Sequence, residues 1–474
     1  MAYIAWVAGL SAATPAGLAT CLNEAMRSNP RIQAAQAEAI AAGLDAEAVR
    51  SLFRAPVFSA SAGQAETPAE APFVTIPFSV ADDALSAQAG VEAPLAAGVY
   101  GGAGVRQMRL RTDDEFDGRD RSLAGARLRV PLWRDRGFGV NRLEFETLSA
   151  EARAQAAEAE ASLLDELSAV SSAYARLLFR AADAAEVGHA LERAEALEKD
   201  ATNRAELQDV AEYQVFPARY EAAVRREELV GAEGRVETAL EELSGAVGAP
   251  LEATVFSNEL ATADAVLGDW ARAAAGDDWT ATLADEAAEN CPEVLAARER
   301  ARSREAAVKG AVEEGKPHFD VLLGVGWERN DEDHDGNDTG YGAAVVFSTP
   351  LSRNGERARS DAARARARAA LSAADAAALD ARVRHAKAVA AFRNACSRLT
   401  LAEESVNHAR QTLEAENERF SIGDGSSRNV LDAQKDLTNA TRQRLAVSLE
   451  VIAEAIELRR ASGLQPSDRQ TERP

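Results

Sequence analysis

Residues 318–348 read HFDVLLGVGWERNDEDHDGNDTGYGAAVVFS, and their alternation decides the fold. Phe319, Val321, Leu323, Val325 and Trp327 share one face of an extended segment. Asp320, Leu322, Gly324 and Gly326 take the other, because successive side chains of a strand point to opposite sides. After a turn-rich acidic loop, Tyr341, Ala343, Val345 and Phe347 alternate with Gly342, Ala344, Val346 and Ser348. The pattern predicts a hairpin over 319–349 with one apolar face and one face of small residues. Trp327 and Tyr341 lie toward its loop end. Interfacial aromatics occupy that place in a membrane barrel, and a half-buried hairpin of a water-soluble protein fits the same pattern.

Working outward, the hairpin is one member of a duplication. A second hairpin is predicted over 99–132, with Ala124, Ala126, Leu128 and Val130 on its apolar face and Arg127 and Arg129 opposite. Asn29-Pro30 and Cys291-Pro292 each open a helical stretch. Pro56 and Pro317 follow them at nearly equal distances. Both hairpins end alike, at Pro131-Leu132 and Pro350-Leu351, where Pro ends the ladder for want of a donor. Long helices are predicted over 140–203 and 356–420, with return helices over 212–247 and 428–462. At 1.5 Å per residue, sixty residues make a rod of about 90 Å. In the last helix Leu445, Leu449, Ile452 and Ile456 form a seam for another helix. Gly248 and Gly463 read as C-caps.

The organisation is therefore a first repeat at 18–248, an inter-repeat linker at 249–277 read as irregular, a second repeat at 278–463, and a polar tail at 464–474. Residues 64–98, rich in Pro and Ala, have no counterpart in the second repeat and read as an insertion that holds an extra strand or an ordered loop. Residues 3–13 look like the apolar core of a secretion signal without a basic start, so 1–17 reads as a degenerate or truncated signal. Cys21 follows a poor lipoprotein-like box and reads as a helix cysteine.

Composition bounds the function. The chain has 474 residues, with 53 Lys and Arg against 76 Asp and Glu, a net charge of −23. Such a balance argues against a nucleic-acid partner. Three scattered cysteines and five histidines form no metal-site spacing, and no nucleophile–base set is visible. No cofactor, no metal and no enzymatic activity are expected. The loop beginning at Asp331 imitates a calcium loop, then departs from it at Gly342. No run of eighteen apolar residues occurs. That leaves a β-barrel open.

The order of elements, their duplication and the segment Phe420-Ser-Ile-Gly-Asp-Gly-Ser-Ser-Arg-Asn-Val-Leu-Asp-Ala-Gln434 resemble the TolC family of outer-membrane efflux proteins over about residues 18–464. The resemblance implies a mainly helical chain with a pair of membrane β-hairpins. Three protomers, with four strands each, would form a 12-stranded barrel continued by a periplasmic helical barrel. It implies localisation in the outer membrane, reaching into the periplasm. The implied partners are a homotrimer, a periplasmic adaptor protein, an inner-membrane pump and outer-membrane lipid. The protein would be a passive exit duct of a tripartite efflux or secretion system.

The resemblance places a pore constriction at Phe420, Asn429 and Asp432, with Asn429 standing where the family has a first aspartate. It places an adaptor-contact tip at Ser421, Ile422, Gly423, Asp424, Gly425 and Ser426. Gly425 stands where a basic residue is often found, and Pro217 stands in the first repeat where Asp432 stands in the second. A soluble coiled-coil scaffold or adaptor is the competing reading.

Overall fold

The computed structural model describes residues 15–52, 55–66, 83–95, 98–112, 115–134, 136, 139–206, 215–276, 289, 291–330, 337–349, 352–422 and 427–462. The signal-like segment up to residue 14, the acidic loop 331–336, Gly423–Ser426 of the tip and the tail after Ser462 lie outside them. The chain is mainly helical with one antiparallel sheet. In order, it runs α1 (Ala16–Ser28), α2 (Pro30–Leu52), β1 (Val57–Glu66), β2 (Asp83–Pro94), β3 (Tyr100–Thr112), β4 (Glu115–Pro131), α3 (Gly139–Glu206) and α4 (Phe216–Val247). A 3₁₀ turn (Ala253–Phe256) leads to α5 (Ser257–Ala261), α6 (Ala263–Gly276), α7 (Pro292–Glu314), β5 (His318–Asn330), β6 (Asn337–Ser348), α8 (Asn354–Ser421) and α9 (Ser427–Ser462).

Two compact units divide the chain, and each draws on both repeats. The first comprises residues 1–39, 155–296 and 374–474. Its core is helical. Leu163, Leu167, Val170, Tyr174 and Leu177 of α3 step by four and three, and they are buried with Leu445, Ile452 and Ile456 of α9. Such spacing puts them on one stripe of each helix. Within residues 249–277, expected to be irregular, Ala253–Phe256, Ser257–Ala261 and Ala263–Gly276 are helical instead. The reason is a local apolar cluster: Phe256, Leu267 and Trp270 are buried against Tyr174, whose ring centroid lies 5.9 Å from Phe256 and 6.5 Å from Trp270.

The Asn29-Pro30 signal has a physical basis in the same unit. Asn29 is buried, and its Oδ1 accepts the Arg31 N–H at 2.9 Å, capping α2 with Pro30 in the first turn. Its Nδ2 donates to the Ala246 carbonyl at 2.9 Å and to Glu166 at 3.1 Å. Gly248 closes α4 with φ of 82°. A Cβ there would sit 2.9 Å from the Asn29 Cα, so glycine is required by the close approach as well as by φ. Cys21 is fully buried in α1, and burial pushes its thiol up to about 12. This fits a helix cysteine in a core.

The second unit comprises residues 40–154 and 297–373 and contains the sheet. The strand order is β1-β2-β3-β4-β5-β6, each pair antiparallel. This differs from the expectation of four strands: the described residues form six. Residues 64–98, read as an insertion without a counterpart, supply all of β2 and the end of β1. Their Ala, Ser and Gln side chains alternate too weakly in hydropathy to announce strands, but backbone pairing does not need large side chains. Within the first hairpin, pairing of β3 with β4 continues to Thr112 opposite Glu115. At the base of the sheet, the Leu132 N–H donates to the Phe319 carbonyl at 2.8 Å, tying the first hairpin's exit to the second hairpin's entry.

Candidate functional site

Two places gather the residues that could form a conduit: the sheet and the helical turn between α8 and α9. The register assigns the faces of the sheet, because directly paired residues point the same way. One face carries Phe58 and Ala60 of β1, Ala89 and Val91 of β2, Ala103 and Val105 of β3, Ala126 and Leu128 of β4, Val325 and Trp327 of β5, and Tyr341 and Val345 of β6. Much of it is exposed in the single chain: Phe58 by 68%, Trp327 by 51% and Tyr341 by 93%. An apolar face of this extent marks contact with something other than water.

The opposite face is polar and lined with glycine. One row across the sheet reads Ser59, Gly90, Gly104, Gly125, Gly326 and Gly340, from β1 to β6. A Cβ on Gly104 would lie 2.9 Å from the Ala89 carbonyl oxygen, and one on Gly125 would lie 2.9 Å from that of Val325. The pleat is therefore closed too tightly there for any side chain, which is how a sheet curves toward one face. On either side of the row stand charged groups. Arg106 donates to Gln88 at 3.1 Å. Arg127 of β4 pairs with Glu92 of β2 across the intervening strand β3. Arg129 stacks 4.3 Å over the Tyr100 ring centroid and lies 3.9 Å from Asp320.

At the helical turn, Val430, Leu431 and Ala433 of α9 are buried with Leu197 of α3 and Leu413 of α8, and Phe420 packs against them. The Arg204 guanidinium lies 4.4 Å above the Phe420 ring centroid. Phe420 is thus half-buried in the helix packing. Asn429 and Asp432 are exposed, three residues apart on α9, and Asp436 extends the same exposed stripe. Asp436 was not singled out from the sequence, although its spacing of four from Asp432 could have found it. Ser421 and Ile422 are exposed at the end of α8, Ile422 by 78%. Gly423, Asp424, Gly425 and Ser426 lie outside the described residues. At the start of α4, Phe216 and Tyr220 are exposed one turn apart, and sequence reasoning missed both.

The other side of α9 is held to its neighbours by charge. Lys435 lies 3.1 Å from Glu221 of α4. Thr438, buried, accepts from Arg193 of α3 at 3.1 Å. Arg442 donates to Asp183 of α3 at 2.6 Å, and Asp183 also faces Arg235 of α4 at 3.5 Å. These three positions of α9, spaced by three and four, make one latched stripe. Among the described residues no group of three or more His, Cys, Asp or Glu could hold a metal ion, and no helix is long and apolar enough to cross a membrane.

Comparison with known proteins gives this geometry its context. Residues 283–464 match the model of the family described as outer membrane efflux protein. No curated protein is a significant sequence relative of the chain. Among solved structures, the outer membrane protein VceC from Vibrio cholerae is similar at a TM-score of 0.67 and 18% identity, over 94% of this chain and 96% of that one. The CmeC outer membrane channel of Campylobacter jejuni is similar at 0.64 and 16% identity, over 96% and 87%. The open state of the Neisseria gonorrhoeae MtrE outer membrane channel is similar at 0.63 and 16% identity, over 94% and 88%. The efflux-protein model thus covers residues 283–464, and the chain shares the fold of these outer-membrane channels over nearly its whole length.

Proposed function

We propose that the protein is the outer-membrane exit channel of a tripartite efflux system, a passive duct driven by an inner-membrane pump through a periplasmic adaptor. The observation that carries the reading is the two-faced sheet: an exposed apolar face on all six strands, backed by a glycine-lined polar face. In a bilayer the first face meets lipid and the second meets water. Open sheet edges are not tolerated in hydrocarbon, so the sheet is closed by further copies of the chain. Three copies close it, and the helices continue the duct through the periplasm. Trp327 and Tyr341 lie on the apolar face toward the loop end, where they anchor the wall at the outer interface.

At the periplasmic end, Asp432 and Asp436 face the axis, with Asn429 at the narrowest turn. Converging carboxylates favour cations. Phe420 braces the constriction from behind through its packing with Arg204. Ser421 to Ser426, together with Phe216 and Tyr220, offer the adaptor its contact. No catalytic residue takes part, and selectivity among substrates resides in the pump. A soluble scaffold is disfavoured, because it would leave the apolar sheet face in water.

The test is fractionation of cells expressing the full chain behind a functional secretion signal, with gel mobility of the unheated detergent extract. Recovery from the outer membrane as a trimer-sized species is expected. Recovery as a soluble monomer contradicts the reading.

A further inference from the structure

The sheet contains two more strands than the four that the family resemblance implies, and their placement has consequences for the pore. The outer edge of β3 is the edge a four-stranded protomer would offer to its neighbour. Here β2 occupies it over the full length, from Asp83 opposite Arg111 to Pro94 opposite Tyr100, twelve paired positions. The outer edge of β2 is in turn paired with β1 over ten positions, from Val57 to Glu66. Among the described strands, the free edges of the sheet are those of β1 and β6.

Three further observations put the β1–β2 hairpin in the same wall as the rest. Its apolar side, with Phe58, Ala60, Ala87, Ala89, Val91 and Ala93, continues the apolar face of β3 to β6 without a change of side. The glycine row passes through Gly90 and ends at Ser59, so the bend of the sheet extends into the hairpin. On the polar side Glu92 of β2 pairs with Arg127 of β4 across the bare backbone of Gly102, where a Cβ would lie 3.4 Å from the Arg127 side chain.

We propose that the wall is closed by β1 of one copy against β6 of the next, so that three six-stranded sheets form an eighteen-stranded barrel in place of a twelve-stranded one. The occupant of each free edge is a second copy of this chain, whose matching edge has the same length class, a largely apolar outer side and an inner side of mostly small residues. Barrel diameter grows roughly linearly with strand number, so the mouth is about one and a half times as wide as a twelve-stranded one. Barrels of 16 to 18 strands leave an aqueous channel, and this one would pass cargo too wide for a narrower mouth. The proposal rests on the exit-channel reading.

The experiment is an electron cryo-microscopy map of the full-length protein, extracted from the outer membrane and embedded in lipid nanodiscs. Eighteen strands in a closed wall, with β1 beside the neighbour's β6, is the expected result. Twelve strands, with β3 beside the neighbour's β6 and the β1–β2 hairpin outside the wall, overturns the proposal and leaves the exit channel standing. A particle with no closed barrel overturns both. In cells, Ala60→Cys combined in turn with Thr339→Cys, Tyr341→Cys, Ala343→Cys or Val345→Cys gives the same decision, with Cys21, Cys291 and Cys396 replaced by Ala. An oxidised trimer ladder from at least one pair is expected. A ladder only when Val105→Cys replaces Ala60→Cys marks twelve-stranded closure and overturns the proposal. No ladder from either set also counts against it.

Discussion

Arg127 on β4 pairs with Glu92 on β2 by crossing the intervening strand at Gly102, which has no side chain to obstruct it. One ion pair thereby spans three strands and binds the β1–β2 hairpin to the rest of the wall. Both partners retain contact with water, so the pair contributes little to stability, about 0–1 kcal/mol. Its larger role is to fix register and to set the charge pattern of the inner face. Arg127→Glu is expected to lower the thermal midpoint of the unheated oligomer slightly, and adding Glu92→Arg is expected to restore it. Failure of the double variant to recover would show that the two side chains do not meet.

The glycine row makes a sharper forecast. Gly104→Val and Gly125→Val each force atoms against a neighbouring carbonyl, since a Cβ already stands 2.9 Å from one. Overpacking of this kind costs about 1–3 kcal/mol. Gly340, at the end of the same row, has nothing within 4 Å of a Cβ. Gly340→Ala is expected to assemble as the parent does, whereas the two valine variants lose assembled oligomer in the outer-membrane fraction. Equal yields for all three would contradict the tight pleat.

Asn29 joins the end of α4 and Glu166 of α3 to the start of α2 through one acceptor and two donor contacts. Asn29→Ala removes them all, and loss of the cap alone costs about 0.5–2 kcal/mol. Asn29→Ser keeps an acceptor for the cap and is expected to lose less. Chemical denaturation of the purified protein, followed by circular dichroism, would rank the three proteins; Ser as damaging as Ala would show that the donors matter and the cap does not.

His385 on α8 is 2% exposed, and burial holds its pKa below the ordinary 6.5. The unfolded chain therefore binds a proton at His385 that the folded chain resists. Above about pH 6.5 both states are neutral there and the residue adds no pH dependence. As pH falls below that value the unfolded state gains protons first, and stability declines until the folded value is passed. His385→Leu is expected to flatten the thermal midpoint between pH 7 and pH 5. An unchanged slope would place the acid sensitivity elsewhere.

Much of this was legible in the sequence, for reasons that particular residues make plain. The β5–β6 hairpin announced itself because Phe319, Val321, Leu323, Val325 and Trp327 differ strongly in hydropathy from their alternates, and these residues do share a face. The 68-residue helices Gly139–Glu206 and Asn354–Ser421 follow from long stretches rich in Ala, Leu, Glu and Arg. The β1–β2 hairpin did not announce itself. Ala60, Ala87 and Ala89 contrast weakly with Ser59, Gln88 and Gly90, and a strand held by backbone pairing leaves little trace in hydropathy. The glycine row was invisible for another reason: its members come from five strands and align only once the register is known. Trp270 was hidden in a segment read as an irregular linker, and its burial depends on partners far away in the chain, such as Tyr174.

The duct itself is open to planar-bilayer recording of the protein purified from the outer membrane. Stable conducting steps that favour cations are expected, with selectivity lowered by Asp432→Asn and raised by Asn429→Asp, because both residues lie on the exposed stripe of α9 assigned to the axis. Folded, membrane-inserted protein that conducts nothing, or conduction whose ion preference ignores both substitutions, would contradict it.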